Sequence, residues 1–265
     1  MARLTVKDLL DFKGNRKIIM TTAFDYNTAK ACELAGIDIV VTWSQNYDSL
    51  EELFIVLDQV RKGAPNTLIG AAIPKSISYI SESEAMRCAL FTLKNGADMI
   101  YSSGMEISKV SVLTRQGIPF VGHVGLLPVK ATWFGGLRAV GKTWDEAVQV
   151  YQDTINFQNA GAIAVEMECL PEKVATEITK RVNILTFSMG SGANCDGQFI
   201  FSCDLLGMHD GHYPRHARKY CNFFYDSVEA LKNYKQDIIN GEFPAPNNNI
   251  AINDEEFRKF LNRLG

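Results

Sequence analysis

Short, almost wholly apolar runs recur along the chain, separated by longer stretches whose apolar residues return every three or four positions. The runs are 17–22 (KIIMTT), 37–42 (IDIVVT), 67–73, 99–101, 119–123, 162–167, 184–188 and 198–202. A strand with one face in water alternates apolar and polar residues. Runs that are apolar throughout predict parallel strands covered on both faces. The stretches between them read as helices. Ser81–Glu84 and Thr143–Glu146 fit the S/T-x-x-E pattern, in which a hydroxyl takes up a free amide at a helix start. Gly36, Gly96 and Gly161 each fall between a helical stretch and the next run, where a left-handed helix end calls for glycine. Eight strand–helix units in one unbroken pattern predict a (β/α)8 barrel. A doubly wound sheet shares this periodicity, but no GxGxxG follows the first run. The expected organisation is a single domain over 1–265, with an N-terminal helix within 1–16 and a helical extension over about 215–265. In the extension, 227–240 and 254–264 carry the spacing of amphipathic helices, joined by the polar linker FPAPNNNIAIN.

Composition narrows the class. A chain of 265 residues, 46% of them hydrophobic, has the size of one barrel of about 250 residues and enough apolar surface to fill it. The net charge of −3 argues against electrostatic capture of nucleic acid or an anionic membrane. No apolar run approaches the roughly 18 residues that span a bilayer, and the opening MARLTVKDLLDFKG has no signal-peptide core. Six cysteines lie scattered without CxxC spacing and read as free thiols of a cytoplasmic protein.

In barrels of this kind chemistry gathers where the strands end. The residues there are Asp25 after the first run, Trp43 and Ser44 after the second, Ala72 and Lys75 at the third, and Tyr101 to Ser103 at the fourth. His123 closes the fifth run, and Glu166 and Glu168 close the sixth. One histidine, carboxylates and hydroxyls on one rim make an acid/base and anion-holding set. Glu168 is the candidate base, because a half-buried mouth can raise a carboxyl pKa toward neutrality. Alternation turns Glu166 the same way as Glu168, so one of the two can be structural. His123 reads equally as a hydrogen-bonded core histidine, and Tyr101 either lines the mouth or turns into the core. The glycine-rich MGSGANCDGQ after the seventh run is either a phosphate cradle or a turn that needs glycine dihedrals. His209, His212 and His216 are spaced three and four apart, but HDGHYP is not a continuous helix, and no metal is assigned there.

Several blocks together resemble one family. TTAFDYNTAKACELAGID, RKGAPNTLI, GIPFVGHVGLLP, FGGLRAVGKT, VEMECLPEKVATEIT and GSGANCDGQ…DLLGMHDGHYPRHARKY, spread from about Thr5 to Pro244, are similar to ketopantoate hydroxymethyltransferases. The resemblance implies a homo-oligomeric (β/α)8 barrel of the phosphoenolpyruvate mutase/isocitrate lyase type. It also implies enolisation of a 2-oxo acid and addition of a one-carbon unit from methylenetetrahydrofolate, with the enolate held by Mg2+. The family's Val-Gly-Asp-Ser, Ala-Asp-Leu-Pro and Lys-Ile-Glu-Gly motifs supply the acids of the metal site and a lysine. Here those stretches read Val41-Thr42-Trp43-Ser44, Ala71-Ala72-Ile73-Pro74 and Tyr101-Ser102-Ser103-Gly104. Ser44, His123 and Glu168 are retained, Glu168 at the place of the family's proton-abstracting residue.

Trp, Ala and Ser cannot supply the carboxylate-assisted octahedral oxygen shell that Mg2+ wants. The expectation is therefore an enzyme without metal or folate, acting on a small carboxylic or 2-oxo acid. Glu168 and His123 are its catalytic pair, and Ser44, Trp43, Lys75, Tyr101, Ser103 and Asp25 line the substrate site. Mg2+ and methylenetetrahydrofolate belong to the alternative, the authentic family reaction at an unusual site. A non-catalytic paralogue that binds a metabolite or partner is the third reading.

Overall fold

Eight parallel strands close into a barrel in sequence order, β8 pairing back onto β1. They are β1 (Ile18–Thr22), β2 (Ile39–Thr42), β3 (Leu68–Ala72), β4 (Met99–Tyr101), β5 (Phe120–Gly125), β6 (Ala164–Glu168), β7 (Leu185–Met189) and β8 (Gly197–Ile200). Each predicted run is a strand, and the fifth continues two residues beyond His123. The computed structural model describes residues 3–42 and 49–265, so Trp43 and Ser44 lie outside the described residues.

Helices alternate with the strands: α1 (Val6–Asp11), α2 (Tyr26–Ala35), α3 (Leu50–Gly63), α4 (Lys75–Ser78), α5 (Glu82–Lys94), α6 (Ile107–Arg115), α7 (Trp144–Asn159), α8 (Glu172–Arg181) and α9 (Ser202–Leu205). The start signals act as read. Ser81 and Thr143 accept from the amides of Glu84 and Glu146. The Glu146 carboxylate, however, turns to the amides of Gly141 and Lys142 and to Arg138, where it braces the preceding loop. Gly36, Gly96 and Gly161 have φ of 74°, 112° and 84°, the left-handed geometry that glycine adopts without steric cost.

Strand alternation sorts the core into two shells. Ile39, Val41, Met99, Tyr101, Val121, Ala164, Leu185, Phe187 and Phe199 fill the barrel interior, and Leu9 of α1 joins them at one end. Val40, Ile69, Ala71, Ile100, Phe120, Val124, Val165 and Met167 face outward beneath the helices. Such runs are apolar throughout because both faces are covered.

At the strand starts one device recurs. Asp38, just before β2, accepts from Ile19 N (2.9 Å) on β1 and pairs with Arg16 (2.6 Å). Asp98, just before β4, accepts from Ile69 N (2.8 Å) on β3 and pairs with Arg61 (2.6 Å). Asp196, just before β8, accepts from Thr186 N (2.9 Å) on β7 and pairs with Lys13 (2.8 Å). In each, a carboxylate (buried at Asp38 and Asp196, half-buried at Asp98) takes the first free amide of the neighbouring strand, and a cation balances its charge.

The chain forms two compact units. The first runs to Leu205 and takes in Tyr213–Arg218; the second comprises Leu206–His212 and Lys219–Gly265. The second unit is built on α10 (Phe223–Asn240) and α11 (Asp254–Leu264), where two amphipathic helices are expected. Within it Tyr234 meets Phe243 edge to face at 5.5 Å. No helix among the described residues is long and apolar enough to cross a membrane.

Candidate active site

The ends of β4, β5 and β6 bring four polar side chains together inside an otherwise apolar barrel. Ala164, Glu166 and Glu168 alternate inward along β6, as do Val121 and His123 along β5 and Met99 and Tyr101 along β4. The backbone register sets His123 beside Glu166 and Gly125 beside Glu168. The Tyr101 hydroxyl donates to Glu166 Oε2 at 2.5 Å. That same oxygen lies 3.8 Å from His123 Nδ1, while His123 Nε2 lies 3.0 Å from Glu168 Oε2. The last contact is close but out of line with the ring N–H, so neither ring nitrogen has an aligned partner, nor does Glu166 Oε1. The His123 and Glu166 side chains are fully buried, and Glu168, 13% exposed, is the member that reaches solvent.

The backbone around Glu168 is fixed from both sides. Gly125, at φ 90°, folds the chain over so that Leu126 N donates to the Glu168 carbonyl at 2.9 Å. Cys169, at φ 53°, donates its N–H to Met189 O at 2.8 Å. Ser191 accepts from Leu170 N (2.9 Å) and donates to Met167 O (2.7 Å). The glycine-rich stretch is thus a turn that lashes β6 to β7. Gly190 and Gly192 both have positive φ, and a Cβ on Gly190 would lie 2.7 Å from the His216 ring.

Burial and mutual charge set the electrostatics. Burial alone would lower the His123 pKa, but the Glu166 and Glu168 carboxylates outweigh it and raise it above the ordinary value. Burial raises Glu166, with Glu168 adding to the shift and His123 opposing it. Burial, with Glu166 and its hydrogen bond adding, pushes Tyr101 well above the usual phenol range, so it stays a neutral donor. Burial lowers Lys75, the first residue of α4, whose ammonium opposes protonation of His123. The Cys169 thiol is pushed up to about 11 by burial, with Glu168 and Glu166 adding.

The structure brings Glu168, His123 and Tyr101 together, places Lys75 within electrostatic reach of His123, and buries Ser103 with its hydroxyl unpartnered. Tyr101 takes the core orientation, edge-on to Phe199 at 6.1 Å, with its hydroxyl engaged by Glu166. Asp25 stands apart from the cluster as the cap of α2, its carboxylate accepting from the amide and hydroxyl of Thr28. Glu166 was legible only as a residue facing the same way as Glu168. Its role as the centre of the cluster depends on Tyr101, 65 residues away in sequence. Beside His123 opens a cavity of about 360 Å³ lined by Glu106, Leu127, Lys130, Asp153, Asn156 and Phe157 among others.

A parallel barrel whose strand ends carry a His–carboxylate cluster defines an enzyme of the (β/α)8 class. The chain belongs to the ketopantoate hydroxymethyltransferase family, whose model matches residues 3–246. It is 34% identical to a 3-methyl-2-oxobutanoate hydroxymethyltransferase of Kosmotoga olearia over 92% of this chain and 97% of that one. It is 31% identical to one of Nitrosopumilus maritimus over 98% of this chain and 99% of that one. Among solved structures it is similar to 2,3-dimethylmalate lyase, a phosphoenolpyruvate mutase/isocitrate lyase superfamily member (TM-score 0.55, 10% identity, 99% of this chain and 100% of that one). It is also similar to a phosphonopyruvate hydrolase complex with oxalate and Mg2+ (TM-score 0.58, 10% identity, 98% and 97%). At such identity these two share the fold alone.

The family's Mg2+ does not fit the residues present. Ala72, at the end of β3, has no donor atom, and Ser103, beyond β4, offers one neutral hydroxyl where the ion wants carboxylate oxygen. The third position, Trp43, lies outside the described residues, and an indole has no oxygen. Elsewhere on the rim, nitrogen and carboxylate oxygen atoms of His123, Glu166 and Glu168 lie within 4.8 Å of one another.

Proposed function

We propose that this protein is a cytoplasmic, homo-oligomeric enzyme that acts, without metal, on a small carboxylic or 2-oxo acid. Glu168 takes a proton from the carbon next to the carbonyl. The electron pair moves onto the carbonyl oxygen, and a C–C or adjacent bond is then made or broken. The observation that carries this reading is the placement of Glu168 at the mouth, 3.0 Å from a fully buried histidine, on a backbone held from both sides. Lys75 and His123 supply positive charge for the developing oxyanion, and Lys75 also suits a substrate carboxylate. Phe257, Phe260, Leu261 and Leu264 share one face of α11, which suits packing against a second copy.

Hydrogen exchange tests the base. A panel of small 2-oxo and carboxylic acids, beginning with 3-methyl-2-oxobutanoate, is incubated in D2O and followed by proton NMR. Loss of a C–H signal with the native protein, abolished in Glu168→Gln while the circular dichroism is unchanged, supports the reading. Exchange that survives Glu168→Gln, or no exchange with any acid in the panel, overturns it.

A further inference from the structure

Glu166 has no part in the proposed reaction, yet its carboxyl is fully buried in the barrel. It stands between strands whose apolar inward residues include Val121, Ala164, Leu185 and Phe187. A carboxylate in such surroundings is costly unless paired and hydrogen-bonded. Two groups reach it. Tyr101, from β4, donates to Oε2 and so fixes the direction of the carboxylate. His123, from β5, presents Nδ1 to the same oxygen at 3.8 Å. The opposite edge of the ring faces Glu168. A histidine whose nitrogens each face a carboxylate is held in one orientation and favoured as a cation.

We propose that Glu166 is a positioning residue: with Tyr101 it holds the His123 ring from inside the barrel and keeps a proton on it, so that Nε2 presents an N–H and a positive charge to Glu168 and to the anion formed at the mouth. The proposal rests on the reading of Glu168 as base and extends it to the source of charge that replaces a metal. The protonation of His123 is set by every charge that faces it. From β6 these are Glu166 and Glu168, which favour it. From α4, Lys75 opposes it. Tyr101 stays neutral, and the Cys169 thiol, pushed up to about 11, does not ionise near neutrality. Around the adjoining cavity Glu106 and Asp153 offset Lys130.

The chain has four histidines, so the imidazole nitrogens of the full-length 15N-labelled protein can be followed separately by long-range 1H–15N NMR. His123→Gln identifies the His123 signals by their disappearance. The expected result is that His123 keeps its proton to a higher pH than the other three, and that Glu166→Gln lowers its midpoint by about one unit, roughly tenfold in proton affinity. Glu166→Asp keeps the charge and is expected to retain part of the shift; a thermal melt of each variant confirms the fold. A His123 midpoint that is unchanged in Glu166→Gln overturns the proposal, as does a His123 that is neutral in the native protein at neutral pH. Elemental analysis after dialysis against Zn2+ or Mn2+ supplies the third arm. One divalent ion per chain, lost in Glu166→Gln, would make the cluster a metal centre and also overturn it. The two readings fail separately: exchange lost in Glu168→Gln with an unchanged His123 midpoint keeps the base and removes this role for Glu166.

Discussion

Glu166 and Glu168, two residues apart on β6, reach opposite edges of one imidazole: Oε2 of the first lies 3.8 Å from His123 Nδ1, and Oε2 of the second lies 3.0 Å from Nε2. One carboxylate is sealed in the barrel and the other reaches solvent. Identical side chains therefore sit in different surroundings, the inner one closed off from water and the outer one open to it.

This arrangement gives stability a particular pH dependence. His123 binds its proton more tightly in the folded protein than in the unfolded chain, whose value is near 6.5. Glu166 is shifted the same way from 4.5, by burial first. A raised folded pKa means the folded state holds protons that the unfolded state has released, so stability falls as pH rises. Each contribution begins to fade as pH rises above the group's ordinary value, near 4.5 for Glu166 and near 6.5 for His123. Thermal melts from mildly acidic to mildly alkaline pH should show a declining Tm, and Glu166→Gln should flatten the decline. A Tm that climbs across that range would contradict the assignment.

The aspartates at the strand starts make a second expectation. Asp196 is buried, accepts from the Thr186 amide and hydroxyl, and pairs with Lys13. Replacing it by alanine strands the Thr186 amide and leaves a partly buried cation unpaired, at a cost of roughly 2–4 kcal/mol. Denaturant melts should show this loss. The His123 titration, at the far end of the strands, should stay where it is.

The missing acids make a third. Isothermal titration of Mg2+ into the protein is expected to show no stoichiometric binding, because Ala72 and Ser103 stand where carboxylates would be needed. Binding of 3-methyl-2-oxobutanoate, where it occurs, should be the same with and without Mg2+. An oxo acid that binds only after Mg2+ would restore the family's own reaction as the function of this chain.

The sequence by itself determined the barrel, the eight strands to within a residue or two at most ends, the left-handed glycines and the strand ends on which His123, Glu166 and Glu168 stand. It could do so because apolar periodicity, capping hydroxyls and glycine positions are local properties, and closure of eight such units has few solutions. It also determined the family, since that is a matter of residue identity. The Asp38 and Asp98 clamps had a local trace, a glycine two residues before each acid, but their amide partners lie 19 and 29 residues away. Only the tertiary structure decided that Asp25 caps a helix, that Tyr101 turns inward, and that Glu166 binds Tyr101 and faces His123. Those outcomes depend on which side chains three separate strands bring to one level of the barrel, a matter of register and stagger that periodicity along a single strand does not contain.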